Sequence, residues 1–217
     1  GVSTIDRWER KKDIHYRQAL CSIGQVELMD KWRTAFAECG LHIGQLLFTK
    51  DDFENDHRTL NMRNTIFTLV DEGVVPIINE NDSVSFDEIR IGDNDNLSAL
   101  TAILWNADLL ILLSDIDGLF TDDPNTNKDA KFIDIVPEIT EEYLSMGKST
   151  SKSNVGTGGM SAKISAARIA TDSGADMIIA NGEDVEIIDR IVSGEQIGTL
   201  FLSHKNKDFS LIDYLAE

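Results

Sequence analysis

The sequence predicts an α/β fold in which a mostly parallel sheet is covered by helices on both faces. Strand-like and helix-like segments alternate along most of the chain, the pattern of parallel strands joined by helical crossovers. The run Leu109-Leu110-Ile111-Leu112-Leu113 is apolar at every position, as a strand buried on both faces requires. Two dense Asn/Asp clusters follow strand-like segments, where the loops of an open α/β sheet emerge and ligands bind. No internal repeat, low-complexity segment or interdomain linker interrupts the pattern, so the 217 residues read as one domain.

Each element has a local reason. Residues 16–39 read as a helix because Leu20, Ile23, Val26, Trp32 and Phe36 recur near the 3.6-residue period. Residues 41–49 read as a strand, and Asp51-Asp52 caps a helix running to about residue 70. Strand 74–78 leads into the first cluster, Asn79-Glu80-Asn81-Asp82, and strand 88–91 into the second, Asp93-Asn94-Asp95-Asn96. Helix 97–105 and the apolar strand 109–113 come next. Residues 114–138 read as an extended loop with turn signals at Asp117-Gly118 and Asp122-Asp123-Pro124 and a short strand near 132–135. The Ser-, Thr-, Lys- and Gly-rich stretch 145–159 reads as mobile. Helix 160–171, strand 177–180, helix 185–191 and strand 198–202 restore the α/β order.

Composition narrows the function. A net charge of −18 argues against a nucleic-acid binder, whose footprint would be a basic face. The longest wholly apolar run, 109–113, is far short of the roughly 20 residues of a membrane span. Cys21 and Cys39 make no disulfide framework and read as buried or semi-buried thiols. A reducing cytoplasm is the expected compartment.

The clusters hold more Asn and Asp than turning the chain requires, and they point to a pocket for a small charged metabolite. Carboxylates suit an ammonium, while Asn amides and helix N–H groups suit a carboxylate. Asn94 and Asp95, at a helix start, serve both.

Phosphate chemistry is signalled by charge segregation. Residues 143–171 carry Lys148, Lys152, Lys163 and Arg168 and no acid, within a strongly acidic chain. At their centre, Gly156-Thr157-Gly158-Gly159-Met160-Ser161-Ala162-Lys163 is a Gly-rich turn entering a helix, a natural phosphate site. Alone it fits a capped helix after a flexible loop better, and only the charge segregation brings the phosphate reading level; it is not a Walker A loop. Ser114-Asp115 lies where a second ligand loop would emerge, although taken alone a strand end with an Asx-turn explains it better.

Other chemistries fit poorly. An EF-hand loop needs Gly at its sixth position and Glu at its twelfth. Counting from Asp93 gives Ser98 and Leu104, and from Asp123 gives Lys128 and Asp134. The four histidines are scattered, which leaves zinc unsupported, and no G-x-S-x-G elbow marks a serine hydrolase.

Three motifs together resemble the glutamate 5-kinase family of the amino acid kinase superfamily: Ile77 to Val84, Gly92 to Ala99 and Gly156 to Lys163. The resemblance implies a three-layer αβα sandwich that transfers the γ-phosphoryl group of ATP, with Mg2+, to the side-chain carboxylate of L-glutamate. That is the first step of proline biosynthesis, with proline as feedback inhibitor and a homodimer or homotetramer as the assembly. It implies that Asp82 and Asn94 bind glutamate and that Asn79 and Asp93 shape the same pocket. Ser114 and Asp115 would lie by the nucleotide, and Thr157, Gly158, Gly159, Met160, Ser161, Ala162 and Lys163 would wrap its phosphates. Lys163 would stabilise charge on the transferring group and Asp95 would organise the catalytic lysines. No metal ligand is assigned to the protein.

The whole chain, 1–217, is then the kinase domain. The family's first strand, a Lys-x-Gly phosphate loop and a Ser-Gly-Ala substrate motif are expected upstream of Gly1. No C-terminal RNA-modification-type domain is expected. The alternatives are a sibling aspartate, acetylglutamate or uridylate kinase, or a non-catalytic amino-acid sensor on the same fold.

Overall fold

The structure, a computed structural model, describes residues 13–85, 91, 93–122, 124, 126–149 and 159–209. They form two compact units that divide after residue 91.

The first unit begins with helix α1 (Ile14–Glu38), capped by the Asp13 carboxylate, which accepts from the His15 and Tyr16 N–H groups at 3.0 and 3.2 Å. It ends in a Schellman closure, with Leu41 N–H on the Phe36 carbonyl at 3.0 Å. The expected apolar stripe does not form a buried seam: Leu20 is buried, while Val26 is 72% and Trp32 43% exposed. At 3.6 residues per turn, Leu20, Val26 and Trp32 fall about 120° apart around the axis, so no single face collects them. Cys21 and Cys39 are exposed, which corrects the expectation of buried thiols.

Strands β1 (His42–Phe48) and β2 (Val74–Glu80) pair in parallel, from His42 opposite Val74 to Phe48 opposite Glu80. The helix expected between them is two helices, α2 (Lys50–Glu54) and α3 (Asp56–Asp71). The cap is Thr49 with Asp52 reaching back to it, rather than Asp51-Asp52 acting alone. Asn55 breaks the segment because its side chain accepts from Arg58 N–H at 3.1 Å and starts a new helix. Strand β2 extends through Asn79 and Glu80, two residues further than expected. The expected strand 88–91 lies outside the described residues except for Ile91.

The second unit opens with α4 (Asn94–Trp105), which starts three residues before the expected point because Asp93 caps it. Next come β3 (Leu109–Ser114), a hairpin of β4 (Leu119–Phe120) and β5 (Phe132–Ile133), and β6 (Ile135–Val136). Helix α5 (Glu141–Ser149) occupies part of the stretch read as mobile, and residues 150–158 lie outside the described ones. Then follow α6 (Met160–Ser173), β7 (Asp176–Asn181), α7 (Ile187–Val192) and β8 (Thr199–Phe201).

The sheet order is β3-β7-β8-β6. The β3–β7 and β6–β8 pairs are parallel and the β7–β8 pair is antiparallel. Alternation along β7 sends its side chains to both faces. Ile178 and Ala180 pack on Ile187 and Ile191 of α7, while Met177 and Ile179 point the other way and are fully buried. Helices α4 and α6 pack on each other and on β3 and β7, respectively. Buried Leu100, Ile164 and Ile169 join that core, each contributing about 1.5–3 kcal/mol. The result is helix, sheet, helix.

Candidate active site

In the first unit the site residues sit at the end of β2. Asn81 N–H bonds the Phe48 carbonyl at 2.7 Å, which extends the strand pairing by one residue. The chain then turns, with the Asn81 carbonyl accepting from Val84 and Ser85 N–H groups at 3.1 and 3.0 Å. Half-buried Asp82 lies in this turn.

The neighbouring Glu80 is buried, and its Oε1 accepts from Ile91 N–H at 2.9 Å and Ser85 Oγ at 3.3 Å. One carboxylate thereby ties together the two ends of the segment between Ser85 and Ile91. From α1, Gln18 Nε2 donates to the Ser85 carbonyl at 3.0 Å, and the Ser22 and Ser83 hydroxyls bond at 2.8 Å. The loop carrying Asp82 is thus held by a strand end and a helix, not by its own turn alone. Asn79 is fixed too: its Oδ1 accepts from Glu80 N–H at 2.9 Å and its Nδ2 donates to Gln25 Oε1 at 3.0 Å.

In the second unit, Asp93 caps α4 through Oδ1, which accepts from Asn96 N–H at 2.8 Å, and Oδ2, which accepts from Asn96 Nδ2 at 3.2 Å. Asn94 is exposed at the first helical position, where its carbonyl takes the Ser98 hydroxyl. Asp95 turns inward and receives Lys163 Nζ at 2.9 Å; the two side chains are only 19% and 11% exposed. Lys163 lies near the start of α6, where the helix dipole disfavours a cation by about 0.3–1 kcal/mol. Asp95 lies near the start of α4, where a carboxylate is favoured, and its charge-assisted bond offsets the misplaced cation. A buried lysine set against its own helix dipole is a poor structural choice and a good way to hold a positive charge ready.

Gly159 begins α6 without a side-chain cap. The first helical bonds run from Ala162 and Lys163 N–H to the Gly159 carbonyl, at 3.0 and 3.4 Å. The N–H groups of Met160 and Ser161 precede that ladder and point out of the helix end, the arrangement that receives anions. Thr157 and Gly158 lie outside the described residues.

Burial pushes the Asp93 carboxyl above its ordinary value of 3.8, and the Asp95 charge adds to this against the pull of the Asn96 N–H and Lys163. A folded-state value raised above the unfolded one means that native stability falls as pH rises through that range. Asp93→Asn keeps an oxygen for the Asn96 N–H and removes the charge. It should raise the urea midpoint at neutral pH, with the gain disappearing below about pH 4, where the unfolded carboxyl is protonated. A gain of the same size at both pH values would show that charge is not its source.

Ser114 ends β3, and its hydroxyl donates to Asp115 Oδ1 at 3.1 Å. Opposite it on β7 stands Asn181, whose Nδ2 donates to Asp117 Oδ1 at 2.9 Å. Gly182 N–H returns to the Ser114 carbonyl at 2.7 Å. The loops after β3 and β7 therefore form one polar rim. The sequence marks Asp117 only as a turn residue and does not single out Asn181, although Asn181-Gly182 directly after an apolar strand is the same kind of signal as Ser114-Asp115. Among the described residues, no three His, Cys, Asp or Glu side chains cluster as metal ligands. No helix among them is long and apolar enough to cross a membrane.

An α/β fold with an uncapped, Gly-initiated helix and a largely shielded Lys–Asp pair suits phosphoryl transfer. The chain belongs to the amino acid kinase family, whose sequence profile matches residues 3–181. It is 52% identical over 207 residues to glutamate 5-kinase of Alkaliphilus metalliredigens, covering 94% of this chain and 77% of that protein. It is 50% identical over 203 residues to glutamate 5-kinase of Alkaliphilus oremlandii, covering 93% and 76%. A crystal structure of UMP kinase from Bacillus anthracis matches with a TM-score of 0.58 at 18% identity, over 93% of this chain and 74% of that one, and shares the fold.

Proposed function

We propose that this chain is a glutamate 5-kinase domain, transferring the γ-phosphoryl group of ATP to the side-chain carboxylate of L-glutamate in the first step of proline biosynthesis. The observation that carries the reading is the Lys163–Asp95 ion pair, which holds a cation at the start of α6. Identity of about half to named glutamate 5-kinases selects the substrate.

In the reaction a glutamate carboxylate oxygen attacks the γ-phosphorus, the bond to the bridging oxygen breaks, and ADP leaves. The carboxylate is already ionised at neutral pH, so no protein base is needed. Catalysis then consists of positioning and charge neutralisation. Lys163 Nζ faces the charge that develops on the transferring group, and Asp95 keeps that ammonium in place. The N–H groups at the start of α6 and the segment from Thr157 to Ala162 take the nucleotide phosphates, and Ser114 and Asp115 lie beside the nucleotide. Asp82 and Asn94 bind glutamate, with Asn79 and Asp93 shaping the pocket. Mg2+ would come with ATP and would neutralise part of the phosphate charge; among the described residues no three His, Cys, Asp or Glu side chains cluster to hold it. Cytoplasmic location, a dimer or tetramer, and inhibition by proline belong to the same proposal.

The test is ADP formation by the intact protein, which should require both L-glutamate and Mg2+. Turnover with aspartate, acetylglutamate or UMP instead of glutamate would assign a sibling activity. Glutamate binding without turnover would assign a sensor.

A further inference from the structure

We propose that Glu80 is a positioning residue for the glutamate site. Its buried side chain joins the Asp82 turn to the chain that enters the Asp93-Asn94 cluster, and it sets glutamate affinity without touching glutamate. This rests on the glutamate kinase reading above and adds to it a residue that supports the binding set.

Glu80 is rooted in fixed backbone. It ends β2 opposite Phe48, and its N–H donates to Asn79 Oδ1 at 2.9 Å. The next N–H, of Asn81, meets the Phe48 carbonyl at 2.7 Å. From that root, Oε1 accepts from Ser85 Oγ at 3.3 Å and from Ile91 N–H at 2.9 Å. Two points of the chain six residues apart therefore take their position from one oxygen atom. Asp82 lies between the root and Ser85, and Asp93 follows Ile91 by two residues. The bridge thus stands between the two clusters assigned to glutamate.

Helix α1 braces the same turn. The Ser22 and Ser83 hydroxyls bond at 2.8 Å, and Gln18 Nε2 donates to the Ser85 carbonyl at 3.0 Å. Ser85 is held at its carbonyl by a helix and at its hydroxyl by a strand end, three residues after Asp82. Desolvating a carboxylate whose described side-chain partners are neutral costs stability. What it gains is two charge-assisted bonds that fix where the chain leaves the Asp82 turn and where it approaches Asp93. Hydrogen bonds from a rigid element are how a binding constellation is kept in register.

Variants of the intact enzyme separate positioning from charge and from general stability. Glu80→Asp keeps the charge and draws the carboxylate back by one methylene. Glu80→Gln keeps the reach and an oxygen able to accept both bonds, and loses the charge. If Glu80 positions the site, Glu80→Asp should raise KM for glutamate about tenfold or more and Glu80→Gln less than about threefold. In both, KM for ATP should stay within about twofold and kcat within about threefold. A rise in Glu80→Gln as large as that in Glu80→Asp, or larger, would mean that the charge itself acts on the substrate, and overturns the proposal. A lower Tm in Glu80→Asp with parental glutamate KM would mean a structural role only, and overturns it too. Ser85→Ala removes one of the two donors and decides if Glu80→Asp does not fold: glutamate KM should rise about threefold or more, and a parental value refutes the role. Parental turnover with glutamate is measured first. Its absence removes the functional reading itself, while its presence with unchanged glutamate KM in the variants removes only the role of Glu80.

Discussion

Lys163→Met is expected to lower kcat about a thousandfold while glutamate affinity changes by less than about threefold. The expectation follows from where the charge sits. Lys163 is held at 2.9 Å by Asp95, near the start of an uncapped helix, so it is oriented before the substrate arrives. A preorganised donor aimed at developing charge typically supplies about 3–4 kcal/mol of transition-state stabilisation. Met retains the methylene stem and so separates loss of charge from loss of packing. Removing the cation leaves Asp95 without its partner at a half-buried position, so some loss of stability accompanies the change. Thermal unfolding measured alongside turnover distinguishes the two effects. Asp95→Asn in the Lys163→Met background should recover stability without recovering turnover. If Lys163→Met retained more than a tenth of the parental kcat, Lys163 would not be the charge-stabilising group.

Gly198→Ala is expected to destabilise the second unit by about 3 kcal/mol or more. Gly198 has φ of +73°, and a Cβ added there would run into the Ile179 carbonyl oxygen and stand 3.0 Å from Ala180 Cβ. The obstacle is backbone of β7, not the end of a flexible side chain, so neither partner can move without loosening the β7–β8 pairing. That pairing begins at once, with Thr199 opposite Ile179. It lies over the core built on Met177, Ile179 and Phe201. For a chain of this size, 3 kcal/mol lowers Tm by roughly 6–12 °C. Gly194→Ala is the control: its φ is +91°, but nothing lies within 4 Å of the added Cβ. It should cost only about 1 kcal/mol. Equal losses in the two variants would mean that backbone strain, not the close approach to Ile179, sets the cost.

Much of the fold was legible because its signals are local. The unbroken apolar run at 109–113 announced β3 as a strand covered on both faces. Gly174, after the periodic segment from Met160, closed α6 near the expected point. The errors came from competing local signals of similar strength. Asn55 falls inside the helix-like stretch after Asp52, yet Asn is also a strong N-cap, and the cap prevails. The acidic, apolar start of α5 was overshadowed by the Ser, Gly and Lys that follow it. On α1 the apolar residues recur in sequence but scatter around the axis, so recurrence does not make a face.

The sequence alone determined the α/β class and the separation of acidic Asn/Asp clusters from a basic glycine-rich segment. Those are properties of short segments and of composition, and they survive without knowledge of packing. Only the tertiary structure brought Lys163 onto Asp95, 68 residues away. It also turned Glu80 inward to tie Ser85 to Ile91, and joined Gln25 to Asn79 across 54 residues. The physical reason is the range of the forces involved. Hydrophobic periodicity and capping act within one helix or strand, whereas a buried ion pair or amide chain exists only after separate elements have packed.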